Sequence, residues 1–235
     1  MFHTYLDQTI SFEIRYKKRT SMSIHIDRNG YIEVHVPKGI SDELVIRAVE
    51  EKWDWIQEKL HEMQDRMNGP KIKVYEHGEI FLYLGKEYPI QVSQDINIQQ
   101  DFAVFEDGKL HIVVKQLEDE KIKQALKRFY YQQCKMLVSK SIRIYQSNFK
   151  LKPRSITITD NKTNWGTCDS KQRLTFNWRL AMAPQQVIDY VVVHEMCHMV
   201  HLNHDRSFWR LVGKIIPDYE EQENWLALSS WKMTV

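Results

Sequence analysis

The sequence predicts an α+β fold, with a β-rich N-terminal half that holds one long helix. Two observations carry that assignment. Period-two apolar runs punctuated by turn dipeptides occupy residues 10–36 and 71–114. Stretches with an apolar residue every three or four positions occupy residues 41–67, 118–149 and the segment after Pro184. No internal repeat is visible.

Taken in order, the runs at 21–26 and 31–36 are joined by Asp27-Arg28-Asn29-Gly30, and Asn-Gly between alternating segments predicts a hairpin. Ser41 is the expected N-cap of the first helix, with Asp42 and Glu43 in its first turn and Ile40 stapling against Val45. The stripe Val45, Val49, Trp53, Ile56, Leu60, Met63, Met67 extends that helix to Asn68-Gly69-Pro70. Turns at His77-Gly78, Leu84-Gly85 and Asp107-Gly108 divide the next block into short strands, read as an antiparallel sheet. In the second helix Ile122, Leu126, Phe129, Tyr130, Cys134, Leu137, Val138, Ile142 and Tyr145 share one face. Strands are expected at 155–159 and 173–177 around a polar segment, 160–170. Pro184 suits the first position of a third long helix, and shorter helices follow at 207–215 and 219–231. The expected division is 1–117, the β-rich region with helix 41–67, and 118–235.

A chain of 235 residues with 43% hydrophobic and 27% charged composition can bury a core and is not a low-complexity sequence. Lys+Arg 33 against Asp+Glu 31 gives no field of the kind a dedicated nucleic-acid binder carries. Cys134, Cys168 and Cys197 are odd in number and form no C-x-x-C pair, which argues against a disulfide framework and points to a reducing, cytoplasmic setting. No signal peptide and no membrane-spanning apolar run are read, so no membrane partner is expected.

The third helix contains His194-Glu195-Met196-Cys197-His198, an H-E-x-x-H pattern. Residues four apart lie one turn apart on the same side, so His194 and His198 can offer two imidazoles to one Zn²⁺, with Glu195 placed to reach a metal-bound water. A third ligand is needed. His201 would sit about 10 Å along the axis from His194 on a continuous helix, too far to share one ion. His204 can return if the chain leaves the helix, and Asn203 is the residue that best tolerates a left-handed exit. His201 is read mainly as a core histidine and Cys197 as a buried thiol.

Trp165-Gly166-Thr167-Cys168, Asn177-Trp178-Arg179-Leu180, Pro184, the H-E-x-x-H with His204, and Phe208-Trp209 together resemble the YgjP-like family of zinc metallopeptidase domains, relatives of the WLM and SprT-type domains. The N-terminal hairpin, the first helix and Tyr83-Leu84-Gly85-Lys86-Glu87-Tyr88 extend the resemblance over nearly the whole chain. It implies a zincin-like C-terminal half carrying the metal-binding helix. Asn164 and Thr167 stand where that family usually has Arg and Ser.

The expected function is a zinc-dependent hydrolase with His194, His198 and His204 as ligands and Glu195 as general base, acting on a peptide or unfolded protein. One alternative is hydrolysis of a nucleotide phosphoanhydride on the same site, with Arg15, Lys17, Lys18 and Arg19 holding phosphates. A second is a non-catalytic, zinc-stabilised interaction module, against which Glu195 speaks. Trp165 and Gly166 are expected as the substrate-binding cleft wall, with a core position for Trp165, like Trp178, as the competing reading. The acidic residues Glu220, Glu221 and Glu223 are expected to be dispensable for metal binding.

Overall fold

The computed structural model describes residues 1–27, 30–69, 72–161 and 163–235, with the backbone alone for 66–68. Three small sheets and six α-helices make it a mixed α+β protein among these residues, divided into two compact units, Met1–Lys71 and Ile72–Val235. No helix among them is long and apolar enough to cross a membrane.

In the first unit the strands β1 (Phe2–Tyr5), β2 (Gln8–Lys17), β3 (Ser23–Ile26) and β4 (Ile32–Pro37) form one sheet in the order β1-β2-β4-β3. The hairpin expected at 21–36 is present, with Ile24 opposite Val34 and the Asp27 N–H donating to the Tyr31 carbonyl at 2.9 Å. Arg28 and Asn29 of its turn lie outside the described residues. The β1–β2 hairpin turns on Leu6 and Asp7, both left-handed (φ 49° and 61°), and Leu carries no turn signal in the sequence. Strand β2 pairs in parallel with β4. Phe12, Ile32, Val34 and Val36 bury against Val45, Val49, Trp53 and Ile56.

The helix expected over 41–67 is two: α1 (Asp42–Glu50) and α2 (Trp53–Asn68). At the break the Lys52 N–H bonds to the Val49 carbonyl, a three-residue step that tightens the chain without interrupting the apolar stripe. Ser41 stands at the N-cap, but its side chain makes no capping hydrogen bond. The side chain of Met67, and Pro70, fall outside the described residues.

In the second unit β5 (Ile80–Tyr83), β6 (Lys86–Gln94), β7 (Phe102–Glu106) and β8 (Lys109–Val114) are ordered β5-β6-β8-β7. Two antiparallel hairpins turn at Leu84-Gly85 and Asp107-Gly108, as their dipeptides predict. The sheet is mixed, however, because the hairpins join through parallel β6 and β8. Long-range pairing of this kind leaves no local sequence mark.

The long helix α3 (Asp119–Tyr145) lays its predicted face into the core, with Ala125, Leu126, Tyr130 and Val138 fully buried. A third sheet, order β10-β11-β9, follows from β9 (Ser155–Thr159), β10 (Gly166–Cys168) and β11 (Arg173–Asn177). Strand β10 falls in the stretch read only as polar; it is three residues long and exists through its antiparallel pairing with β11.

Helix α4 (Gln185–Cys197) starts one residue after Pro184, which occupies the N-cap. It is buried nearly all round, Val187, Ile188, Val191, Val192, Val193, Met196 and Cys197 all being covered, so its position is set by packing on every side. Polar contacts fix its start. Ser141 of α3 donates its hydroxyl to Asp189, Gln185 donates to the same Asp189 oxygen at 2.8 Å, and the Tyr145 hydroxyl reaches the other oxygen at 3.4 Å. Ahead of it, the Leu84 and Gly85 N–H groups donate to the Ala181 and Met182 carbonyls at 3.0 and 2.9 Å. Gly85 is required there, since a Cβ would stand 2.5 Å from the Pro184 ring. Helices α5 (Arg206–Ile215) and α6 (Tyr219–Ser229) complete the unit.

Candidate metal centre

His194 and His198 lie one turn apart at the end of α4, His198 being the C-cap in ordinary right-handed conformation. The chain then leaves the helix at once, through a turn at 198–200. No residue from 198 to 205 is left-handed, so Asn203 is not the exit device expected of it. Asp205 instead caps α5, its carboxylate accepting from the Ser207 and Phe208 N–H groups at 2.9 and 3.0 Å, and so fixes the chain just beyond His204.

The result is a convergence of three ring nitrogens. His204 Nε2 lies 2.9 Å from His194 Nε2 and 3.1 Å from His198 Nε2. Ligands about 2.05 Å from one tetrahedral zinc would stand about 3.3 Å apart, so the spacing suits such an ion. These three are the one group of at least three His, Cys, Asp or Glu side chains among the described residues that could hold a metal.

The proton inventory supports the same fit. Burial, with the neighbouring imidazoles, pushes His194 down to about 3, and burial chiefly lowers His198. Both rings are therefore neutral near pH 7. His198 Nδ1 stands 3.1 Å from the His201 carbonyl, which assigns its proton to Nδ1 and leaves Nε2 as a lone pair. A single proton among the three Nε2 atoms bridges one of the two contacts, whereas a cation placed between them accepts a lone pair from each of the three nitrogens. His201 enters the site through its backbone; its ring sits outside the core, 3.1 Å from Ser207 Oγ.

Aromatic rings from α5 support the cluster, which sequence reasoning did not assign. His198 lies over Phe208 with centroids 4.6 Å apart, and His204 stacks on Trp209 at 5.7 Å. The Phe208-Trp209 pair was the available signal, four and five residues beyond His204.

Glu195, next to His194 on α4, is 6% exposed, and burial alone pushes its carboxyl up to about 8. Gly166 of edge strand β10 faces it so closely that a Cβ there would stand 2.6 Å from Glu195 Cγ and 2.7 Å from Oε1. Both residues line a cleft of about 680 Å³, together with Trp165, Cys168, Tyr190 and the three histidines. Trp165 is half-buried, lining the cleft while packing on the core, whereas Trp178 is 2% exposed and stacks on Tyr131 at 5.8 Å. Cys197 is fully buried, and Glu220 and Glu221 do not line the cleft. The basic run lies in the first unit, where Arg15 pairs with Glu13 and Glu33 and Arg19 bonds Ser23.

The family model for the YgjP-like metallopeptidase domain matches residues 20–229, and the chain belongs to that family. Membership points to a metal-dependent hydrolase with a divalent metal, typically zinc. No curated protein matches the chain.

Proposed function

We propose that the protein is a zinc metallopeptidase whose working region lies within residues 118–235, zincin-like in its metal helix. The observation that carries the reading is the convergence of His194, His198 and His204 Nε2 in the same cleft as a buried Glu195. When bound there, zinc supplies a Lewis acid that polarises a carbonyl and lowers the pKa of water from roughly 15.7 towards about 7.

The chain's own groups supply the rest. Burial raises the proton affinity of Glu195, which suits a general base: as the carboxylate it takes one proton from the attacking water and returns it to the amine as the amide C–N bond breaks and a C–O bond forms. Trp165 offers an apolar wall, and Gly166–Cys168, at the edge of its sheet, offers backbone groups to an extended peptide. No lysine or arginine among the described residues lines the cleft, which favours a peptide over a polyphosphate.

The test pairs metal analysis with peptide hydrolysis. Glu195→Gln is expected to keep fold and zinc while losing about 10² to 10⁴ in rate. His204→Ala is expected to lose stoichiometric zinc, and His201→Ala to keep it, since His201 contributes its carbonyl. Wild-type turnover in Glu195→Gln, or equal zinc loss from both histidine variants, would defeat the reading.

A further inference from the structure

Of the three α6 carboxylates a thermolysin-like site would draw on, Glu223 lines the cleft, yet it stands outside the nitrogen cluster that could hold a metal. It is exposed; beside it on α6 Glu220 accepts from the Tyr219 hydroxyl at 3.2 Å, and Asp218, the N-cap of that helix, accepts from Gln222 at 2.8 Å. No cationic side chain among the described residues lines the cleft to neutralise it.

Two tyrosine rings lie near enough to this carboxylate that, after burial, its charge helps raise both of their hydroxyls. Tyr190 lines the same cleft and stacks on Tyr219 at 6.5 Å, and Tyr219 sits one helical turn before Glu223 on the same side of α6. A carboxylate that shares a cleft with an aromatic ring is the chemistry that recognises a guanidinium or ammonium group. We infer that Glu223 is a specificity-determining residue that selects peptides carrying a lysine or arginine side chain near the bond to be cut. The inference rests on the peptide-hydrolase reading and adds the substrate class to it.

The experiment uses zinc-loaded full-length protein and internally quenched peptides of one sequence, in which each position flanking the cleaved bond is set in turn to Arg, Leu or Glu. Wild type is expected to prefer Arg over Glu at one position by roughly tenfold in kcat/KM, a preference that shrinks with added salt, as exposed charge pairs do. In Glu223→Gln the ratio is expected to fall towards one, in Glu223→Asp to persist, and in Glu223→Lys to invert, with zinc content equal in all. Anisotropy of a labelled Arg peptide on Glu195→Gln, with and without Glu223→Gln, reads the same discrimination without turnover. An Arg preference that survives Glu223→Gln, or its absence from wild type while peptides are cleaved, overturns this inference and leaves the peptidase reading intact. Failure of wild type to cleave or bind any of the peptides overturns both.

Discussion

Gly166 decides how near the cleft wall comes to Glu195. Its backbone is not left-handed, so the requirement is for space alone: the methyl of alanine would overlap the Glu195 side chain, which is hemmed in by its own burial. Gly166→Ala is expected to cost about 1–3 kcal/mol of stability through forced repacking, and to reduce hydrolysis further than that loss explains by displacing the carboxylate. Urea unfolding and turnover on the same preparation check it; normal turnover in the folded variant would remove Gly166 from the site. At this scale His194, Glu195 and His198 were legible because their spacing is local to one helix. That His204 returns to them was also legible, from the distance a continuous helix would impose on His201. The means of return was not, because Asp205 acts by capping a helix that begins after the cluster.

The loop that carries Trp165 is held from within by Asn161, whose side-chain oxygen accepts from the Thr163 and Asn164 N–H groups at 2.8 and 3.2 Å, and from outside by its neighbours. Asn177, 5% exposed at the end of β11, donates to the Asn161 carbonyl at 2.6 Å, and its N–H donates to the Trp165 carbonyl at 2.9 Å. Asp160 anchors the loop's start on Lys127 of α3 and on Arg179, each at 2.6 Å. Lys127 foremost, then Arg179, holds the Asp160 carboxyl well below the usual carboxylate range. A lowered folded-state value means stability present above the unfolded carboxylate's pKa of about 4 and lost as pH falls below it. The gap in urea midpoint between wild type and Asp160→Asn is therefore expected to narrow from pH 7 towards pH 3; a constant gap would sink the ion-pair account. The sequence marked these residues only as polar punctuation, since what they do depends on α3, more than thirty residues away. The α1/α2 break was hidden for the opposite reason, its apolar stripe running through unbroken.

Over the whole molecule, each unit has a core of its own, and the three histidines belong to the second. A ligand that binds only the folded state stabilises by RT ln(1 + [L]/Kd), about 2.7 kcal/mol at a hundredfold excess over Kd. Removing zinc with a chelator is expected to speed amide exchange in α4, α5 and β10–β11 while leaving β1–β4 unchanged, as exchange mass spectrometry would read. Equal loss of protection in both units would contradict this. The α+β class and the long helices were legible from periodicity; the parallel pairs β2·β4, β6·β8 and β9·β11 were not, since each joins segments by register alone.

The turn at Leu84-Gly85, seated on Ala181, Met182 and Pro184, bears on whether the metal helix is portable. All three histidines and Glu195 fall after residue 118, yet α4 begins in a socket whose far side comes from a hairpin some hundred residues earlier. A graft or fragment starting at residue 118 would carry every reacting group and lack the wall against which their helix is set. Residues 118–235 expressed alone are expected to bind zinc less tightly than the full chain and to show a broad, non-cooperative melt by circular dichroism; a sharp melt with full-strength zinc binding would show the hairpin to be dispensable.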